Sequence, residues 1–105
     1  MNESVLTDRL IHDIGQWHID RNLIDGATDK DQVLKLMQEV GELSDNVCKG
    51  QDVADDIGDC MVVLINIAMR NGLSIEHCLR VAYNDIKDRR GVMKDGIFIK
   101  ELTSE

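Results

Sequence analysis

Apolar residues recur every three or four positions along most of the chain, and this spacing predicts four amphipathic helices. Their predicted spans are roughly residues 4–22, 29–48, 52–71 and 75–90. Asp29, with Gln32 three residues later, resembles a capping box at the start of the second helix. Gly72 follows the end of the third helix, Ser74 is placed to cap the fourth, and Gly91 is placed to stop it.

The last segment carries the turn-forming pair Asp95-Gly96 between apolar residues, which predicts a short hairpin or an extended tail. On the first helix, one apolar stripe is expected to face the core, formed by Leu6, Leu10, Ile14 and Trp17. The chain is therefore expected to form a single all-α domain over residues 1–105, of the four-helix-bundle type, with the hairpin or tail at its C-terminal end.

The composition agrees with helix packing and argues against several classes of partner. Proline is absent and there is one residue each of Trp, Tyr and Phe, as suits packed helices better than a β-sandwich. The formal net charge of −8 repels phosphate polymers, so no nucleic acid partner is expected. The sequence has no signal peptide and no apolar stretch long enough to cross a bilayer, so no membrane partner is expected. Three cysteines without finger-like spacing indicate free thiols and a cytoplasmic location.

Positions along the second helix, placed about 100° apart, separate into an apolar arc and a polar row beside it. The arc consists of Val33, Leu36, Met37, Val40, Leu43 and Val47. The polar row consists of Lys35, Glu39, Glu42 and Asn46. Gln38 and Asp45 point to the opposite, outer side. Glu39 and Glu42 are therefore expected to be neighbours that the core half shelters.

The third helix repeats this arrangement, with Asp52, Asp56 and Asp59 along one edge of its apolar arc. The arc consists of Val53, Ile57, Met61, Leu64 and Ala68. Four converging carboxylates repel one another unless a cation lies between them, and hard oxygen ligands suit Mg²⁺ or Mn²⁺. Such acid pairs are also common on the solvated edges of helices in acidic proteins, and this is the alternative interpretation.

The two acid motifs resemble those of the MazG-type all-α NTP pyrophosphatase family, whose pattern is EExxE followed, after a dozen or more residues, by ExxD. The corresponding segments here are Gln38-Glu39-Val40-Gly41-Glu42 and, after thirteen residues, Asp56-Ile57-Gly58-Asp59. The similarity to short, single-domain members continues through Tyr83-Asn84-Asp85-Ile86-Lys87-Asp88-Arg89-Arg90-Gly91 and Gly96-Ile97-Phe98-Ile99-Lys100. Gln38 stands where the pattern has its first glutamate, and it lies on the outer side of its helix. Asp56 also departs, since it is one methylene shorter than the usual glutamate.

The resemblance implies hydrolysis of an NTP or dNTP to the monophosphate and pyrophosphate. It implies that Mg²⁺, or Mn²⁺ in its place, is held by Glu39, Glu42, Asp56 and Asp59, one of which acts as the general base. The candidates for substrate binding are Lys35, Lys87 and Arg90 for the phosphates, Asn84 for a phosphate or sugar oxygen, and Trp17 for the base. Ordinary surface positions remain the alternative for Lys87 and Arg90, and a place in the core for Trp17.

A non-catalytic helical regulatory or assembly module with a degenerate metal site is the main competing interpretation, and the replacement at Asp56 favours it. A di-iron bundle requires Glu-x-x-His motifs, which the sequence lacks. An EF-hand loop counted from Asp25 has Leu36 at its twelfth position, where glutamate is required.

The third helix also predicts self-association. From Cys60 to Met69, Asn66 is the one overtly polar residue, so this helix must be buried on all sides. A monomer of 105 residues hardly covers such a helix completely. We therefore expect a homodimer or a dimer of dimers, as family members are, in which a second subunit covers the outer row of Val62, Ile65 and Met69.

Overall fold

Four helices followed by a two-stranded hairpin make up the structure, a computed structural model that describes residues 2–102. The elements are α1 (Glu3–Asp20), α2 (Asp29–Cys48), α3 (Ala54–Arg70), α4 (Ile75–Ile86), β1 (Gly91–Lys94) and β2 (Ile97–Lys100). The predicted helical class is confirmed, and the bundle arrangement stays a prediction. The chain divides into two compact units, the first ending at Ile75 and the second beginning at Glu76. The outermost ends of the predicted 1–105 domain lie outside the described residues.

The helix boundaries follow the predicted ones closely, with two corrections. The capping box of α2 uses Thr28 and Asp31: the Thr28 hydroxyl accepts from the Asp31 amide at 3.2 Å, and the Asp31 carboxylate accepts from the Thr28 amide at 2.9 Å. Gln32 is therefore not the capping partner. Helix α4 ends at Ile86, and Gly91, the predicted stop, is instead the first residue of β1.

Helix α3 is the central element of the first unit, because both α1 and α2 pack on it. The buried apolar side chains are Val63, Ile65, Ala68 and Ile75. Ile65 is 4% exposed, so the row that was predicted to need a second subunit is largely covered within the chain. The covering helix is α1, whose Gly15 approaches Met69 so closely that an added Cβ would lie 3.2 Å from the Met69 sulfur.

The apolar faces predicted for the helices are mostly not the faces that pack within the chain. On α1, the stripe containing Leu6, Leu10 and Trp17 is exposed, and the buried residues are Gly15 and His18. On α2 and α3, the exposed members of the predicted arcs are Val33, Met37, Val40, Val47, Ile57 and Leu64. The least exposed positions of α2 are Gln32, Leu36, Glu39, Leu43 and Asn46, so this helix packs along the border between its apolar arc and its polar row, and the rest of the arc faces outward.

A buried polar network joins α1, α3 and the loop that leads into α2. Asn66 is fully buried, and its amide group donates to His18 Nδ1 at 3.2 Å and to the Leu23 carbonyl at 3.1 Å. His18 therefore carries its proton on Nε2, which donates to the Val62 carbonyl at 2.9 Å. The amide nitrogen of Asn66 thus finds its acceptors inside the chain, one of them a histidine for which the sequence indicated no role, whereas its buried Oδ1 has no donor among the described residues.

Arg70, at the end of α3, holds the same loop through several hydrogen bonds. Its guanidinium donates to Asp29 at 3.0 Å and to the carbonyls of Leu23, Ile24 and Ala27. Because the side chain is 13% exposed, the carbonyls that it satisfies are partly shielded from water. Arg70, together with Asn66, therefore fixes the path of the loop between α1 and α2.

Replacing Arg70 with methionine is expected to lower the free energy of unfolding by about 2–4 kcal/mol, because it leaves the shielded carbonyls of Ile24 and Ala27 without this donor and removes the ion pair with Asp29. Urea denaturation measures this change. The matched control is Arg80→Met, which removes only an exposed ion pair with Glu76 and is expected to cost about 0.5 kcal/mol or less. Equal, small losses in both variants would contradict the anchoring role.

The C-terminal segment forms a hairpin, as the Asp95-Gly96 pair predicted. Strands β1 and β2 are antiparallel, with Val92 opposite Ile99 and Met93 opposite Phe98. Asp95 and Gly96 have φ values of 52° and 80°, which are the left-handed values of a type I′ turn. Separately, no helix within residues 2–102 is both long enough and apolar enough to cross a membrane.

Candidate active site

The polar row of α2 meets the acidic edge of α3 where the two helices pack. Glu39 and Glu42 lie one turn apart on α2, and Asp59 faces them from α3. One oxygen from each of these three carboxylates lies within 4.8 Å of the others. We call Glu39, Glu42 and Asp59 the carboxylate cluster. The structure thus brings together three of the four acids predicted to bind a metal ion.

Glu39 is the innermost member of the carboxylate cluster, since its residue surface is 8% exposed. Its Oε1 forms an ion pair with the Lys35 ammonium at 3.2 Å, one helical turn away. Its buried Oε2 has no hydrogen-bond donor among the described residues. A shielded carboxylate oxygen without a donor is costly, and a cation or a bound proton would compensate that cost.

Asp56, the fourth predicted ligand, is buried at 7% exposure but lies outside the carboxylate cluster. Its Oδ2 accepts a hydrogen bond from the Asn46 amide at 2.9 Å, so this carboxylate has a partner within the protein. The bond ties α2 to α3 one turn beyond Glu42. Asp56 is thereby held beside the carboxylate cluster, and whether it also contacts an ion stays a prediction.

Repulsion between charges and desolvation raise the pKa of two acids of the carboxylate cluster. The charge of Glu39 raises the pKa of Glu42, and partial desolvation and a proton shared with Glu39 add to this effect. Desolvation raises the pKa of Asp59, with further contributions from the charges of Asp55 and Glu39. Burial, with the charges of Glu39, Asp59 and Asp56, raises the pKa of the neighbouring Cys60 thiol.

Without a divalent cation, Glu42→Gln is expected to raise the midpoint of thermal unfolding at pH 7 and to change it little near pH 4. Folding raises the pKa of Glu42, so the folded protein favours the protonated form of this carboxyl. Glu42 therefore does not destabilise the fold below the ordinary carboxyl pKa of about 4, and its ionised form destabilises the fold once the pH rises through the raised pKa. Glutamine is neutral throughout. Thermal melts of both proteins at each pH measure the difference, and a difference that does not change with pH would contradict the repulsion.

A cleft of about 350 Å³ opens beside the carboxylate cluster, and we call it the Trp17 cleft. Its lining consists of Trp17, His18, Leu23, Gln32, Lys35, Glu39, Asp59, Val62 and Val63. Trp17 is half exposed rather than part of the core, and the Arg21 guanidinium carbon lies 4.4 Å from its ring centroid. Glu39 and Asp59 belong both to the carboxylate cluster and to the wall of the cleft.

The remaining predicted binding residues belong to the second unit, and they do not share one helical row. Asn84 lies on α4, whereas Lys87 follows the last helical residue and Arg90 directly precedes β1. All three side chains are exposed. The predicted fourth helix would have carried all three residues, but α4 ends at Ile86. Their part in substrate binding stays a prediction from the resemblance.

Sequence reasoning missed two residues of the Trp17 cleft, His18 and Gln32. The signal for Gln32 was available: it precedes Lys35 by three residues and Glu39 by seven, so it belongs to the same face of α2. The signal for His18 was absent, because its position depends on where α1 contacts α3.

Comparison with known proteins finds a relative that is similar to part of this chain. A segment of 65 residues is 45% identical to a protein of Haemophilus phage HP1 (strain HP1c1), described as an uncharacterized 18.2 kDa protein in the rep-hol intergenic region. The alignment covers 60% of this chain and 40% of the phage protein, so the chain spans less than half of that relative. No family model and no solved structure matches the chain.

Proposed function

We propose that this chain is a magnesium-dependent nucleoside triphosphate pyrophosphohydrolase of the MazG type. The observation that supports this best is that Glu39 and Asp59 belong to both the carboxylate cluster and the Trp17 cleft. The acids are suited to a cation that binds the phosphates of a nucleotide. The indole of Trp17 in the wall of the adjoining cleft is suited to stack on the base.

The chemistry of the carboxylate cluster fits Mg²⁺ or Mn²⁺. Its metal-binding atoms are three carboxylate oxygens, and one carboxylate oxygen of Glu39 lacks a hydrogen-bond donor. The raised pKa of Glu42 reflects chiefly the charge of Glu39, and that of Asp59 reflects desolvation followed by the charges of nearby acids. Glu39, Glu42 and Asp59 would hold the ion, with Asp56 beside them. When bound, the ion supplies positive charge to the phosphates and makes coordinated water more acidic.

The proposed reaction is attack of water on the α-phosphorus of the triphosphate. A bond forms between the water oxygen and the α-phosphorus, the P–O bond to the bridging oxygen breaks, and pyrophosphate leaves. The carboxylate of Glu39, which has a buried oxygen without a donor, is suited to accept the proton of the water. The Lys35 ammonium, 3.2 Å from Glu39, offers a positive charge to the phosphates. Trp17 offers its ring as a stacking surface for the base.

Pyrophosphate release from a panel of canonical and modified NTPs and dNTPs tests the proposal. Turnover is expected with Mg²⁺ or Mn²⁺, and poor turnover with Ca²⁺, because magnesium requires a stricter octahedral geometry of oxygen ligands. Full turnover after exhaustive chelation would show that the metal assignment is wrong. If no nucleotide yields pyrophosphate in Mg²⁺ while nucleotides still bind, the competing function, a non-catalytic helical module, is favoured.

A further inference from the structure

Gln32 lies in the wall of the Trp17 cleft, and its amide is not used in helix capping. The sequence indicated Gln32 as the capping partner of α2, but Asp31 performs that function. The Gln32 side chain is half buried and lines the cleft together with Trp17 and Lys35. A half-buried amide in a cleft of this size offers a hydrogen-bond donor and an acceptor side by side.

The order of side chains along α2 places Gln32 at the end of the cleft away from the phosphates. Gln32, Lys35, Glu39 and Glu42 follow one another on one face of the helix. At the rise of an α-helix, Gln32 is about 10 Å along the axis from Glu39, a distance comparable to the length of a nucleoside. A triphosphate held at Glu39 therefore brings its base to the level of Gln32 and Trp17.

We propose that Gln32 recognises the base by pairing with its edge, while Trp17 stacks on its face. This inference rests on the proposed function in one respect, that the ligand is a nucleoside triphosphate. A primary amide pairs with a neighbouring donor and acceptor, which adenine, cytosine and uracil all present on their pairing edges. Guanine presents the same kind of pair at O6 and N1–H, and its additional N2 donor has no partner on a single amide. The amide therefore accepts each of the four bases through one donor and one acceptor.

The variant Gln32→Glu tests the pairing directly, because it replaces the amide donor with a second acceptor and keeps the shape. The carboxylate accepts from both N–H groups of guanine and cannot donate to the other three bases. We expect kcat/KM for dGTP, relative to dATP, dCTP and dUTP, to rise roughly tenfold or more. Since the four triphosphates carry the same phosphate charge, repulsion by the added carboxylate cancels in this ratio. The second variant, Gln32→Leu, removes both the donor and the acceptor and should lower kcat/KM for all four.

Gln38→Glu is the matched control. It makes the same chemical change and adds the same charge on the same helix, but Gln38 is exposed and lies outside the cleft. The order of preference among the four bases should be that of the wild type. A change of preference in Gln38→Glu equal to that in Gln32→Glu would mean that net charge, and not base pairing, sets the order, and the inference would be overturned.

Binding read from Trp17 separates failure of this inference from failure of the proposed function. Trp17 is the single tryptophan of the chain, so its fluorescence reports the cleft during titration with each dNTP in Mg²⁺. Turnover with a base order that Gln32→Glu leaves unchanged overturns the inference and keeps the function. Quenching with a base order that switches in Gln32→Glu, without pyrophosphate release, supports the inference and overturns the function. The absence of both quenching and turnover overturns both.

Discussion

Glu42→Gln and Asp59→Asn are each expected to lower the rate of hydrolysis by roughly two orders of magnitude or more while the protein stays folded. Both substitutions keep the size of the side chain and remove the charge that a cation requires. Both acids have a pKa raised by their surroundings, so neutral side chains should also make the metal-free protein more stable. Steady-state pyrophosphate release, together with circular dichroism and thermal melts, measures the two effects separately.

Gln38→Ala provides the control for these substitutions. Gln38 replaces the first glutamate of the EExxE pattern and is exposed on the outer side of α2, so its removal should change the rate little. If Gln38→Ala were as damaging as Glu42→Gln, the assignment of the active face of α2 would be wrong. If Glu42→Gln and Asp59→Asn kept wild-type rates, the carboxylate cluster would not be the site of hydrolysis.

Met37→Lys is expected to dissociate the protein and to lower both helicity and activity. In the chain alone Met37 is 65% exposed, as part of an apolar surface that continues through Val33 and Val40 of α2. We propose that a second copy of the chain covers this surface. An exposed apolar row can pack against the same row of an identical chain across a two-fold axis. A lysine there would be buried in the dimer and would disfavour association.

Leu34→Lys is the matched control for Met37→Lys. Leu34 is 67% exposed and lies on the same helix, but it shares the outer side of α2 with Gln38 and Asp45. Light scattering at low micromolar concentration should give about twice the monomer mass of 11.8 kDa for the wild type and Leu34→Lys, and a lower mass for Met37→Lys. A wild-type protein that is monomeric, folded and active would contradict the proposed dimer. The earlier expectation that Ile65 belongs to the interface was wrong, because α1 and the rest of the first unit bury that side chain.

The positions of the secondary-structure elements could be derived from the sequence, because they depend on local interactions. Apolar periodicity located α1 to α4, the start of α2 at Asp29 was correct, and Asp95-Gly96 indicated the hairpin. The neighbouring positions of Glu39 and Glu42 also followed from helical spacing alone. The choice of Thr28 and Asp31 over Asp29 and Gln32 in the capping box was missed, since a shift of one residue produces two similar patterns.

The rotation of each helix about its axis was decided only by the tertiary structure. A helical wheel shows which residues share a face, but it does not show whether another helix or a second chain covers that face. The sequence therefore determined that the acids of α2 and α3 form two rows, and the packing of α2 on α3 brought Glu39, Glu42 and Asp59 together. The same packing set Asp56 apart against Asn46 and opened the Trp17 cleft beside Glu39. These contacts join residues distant in sequence, and their geometry depends on the fit of whole helix surfaces rather than on local spacing.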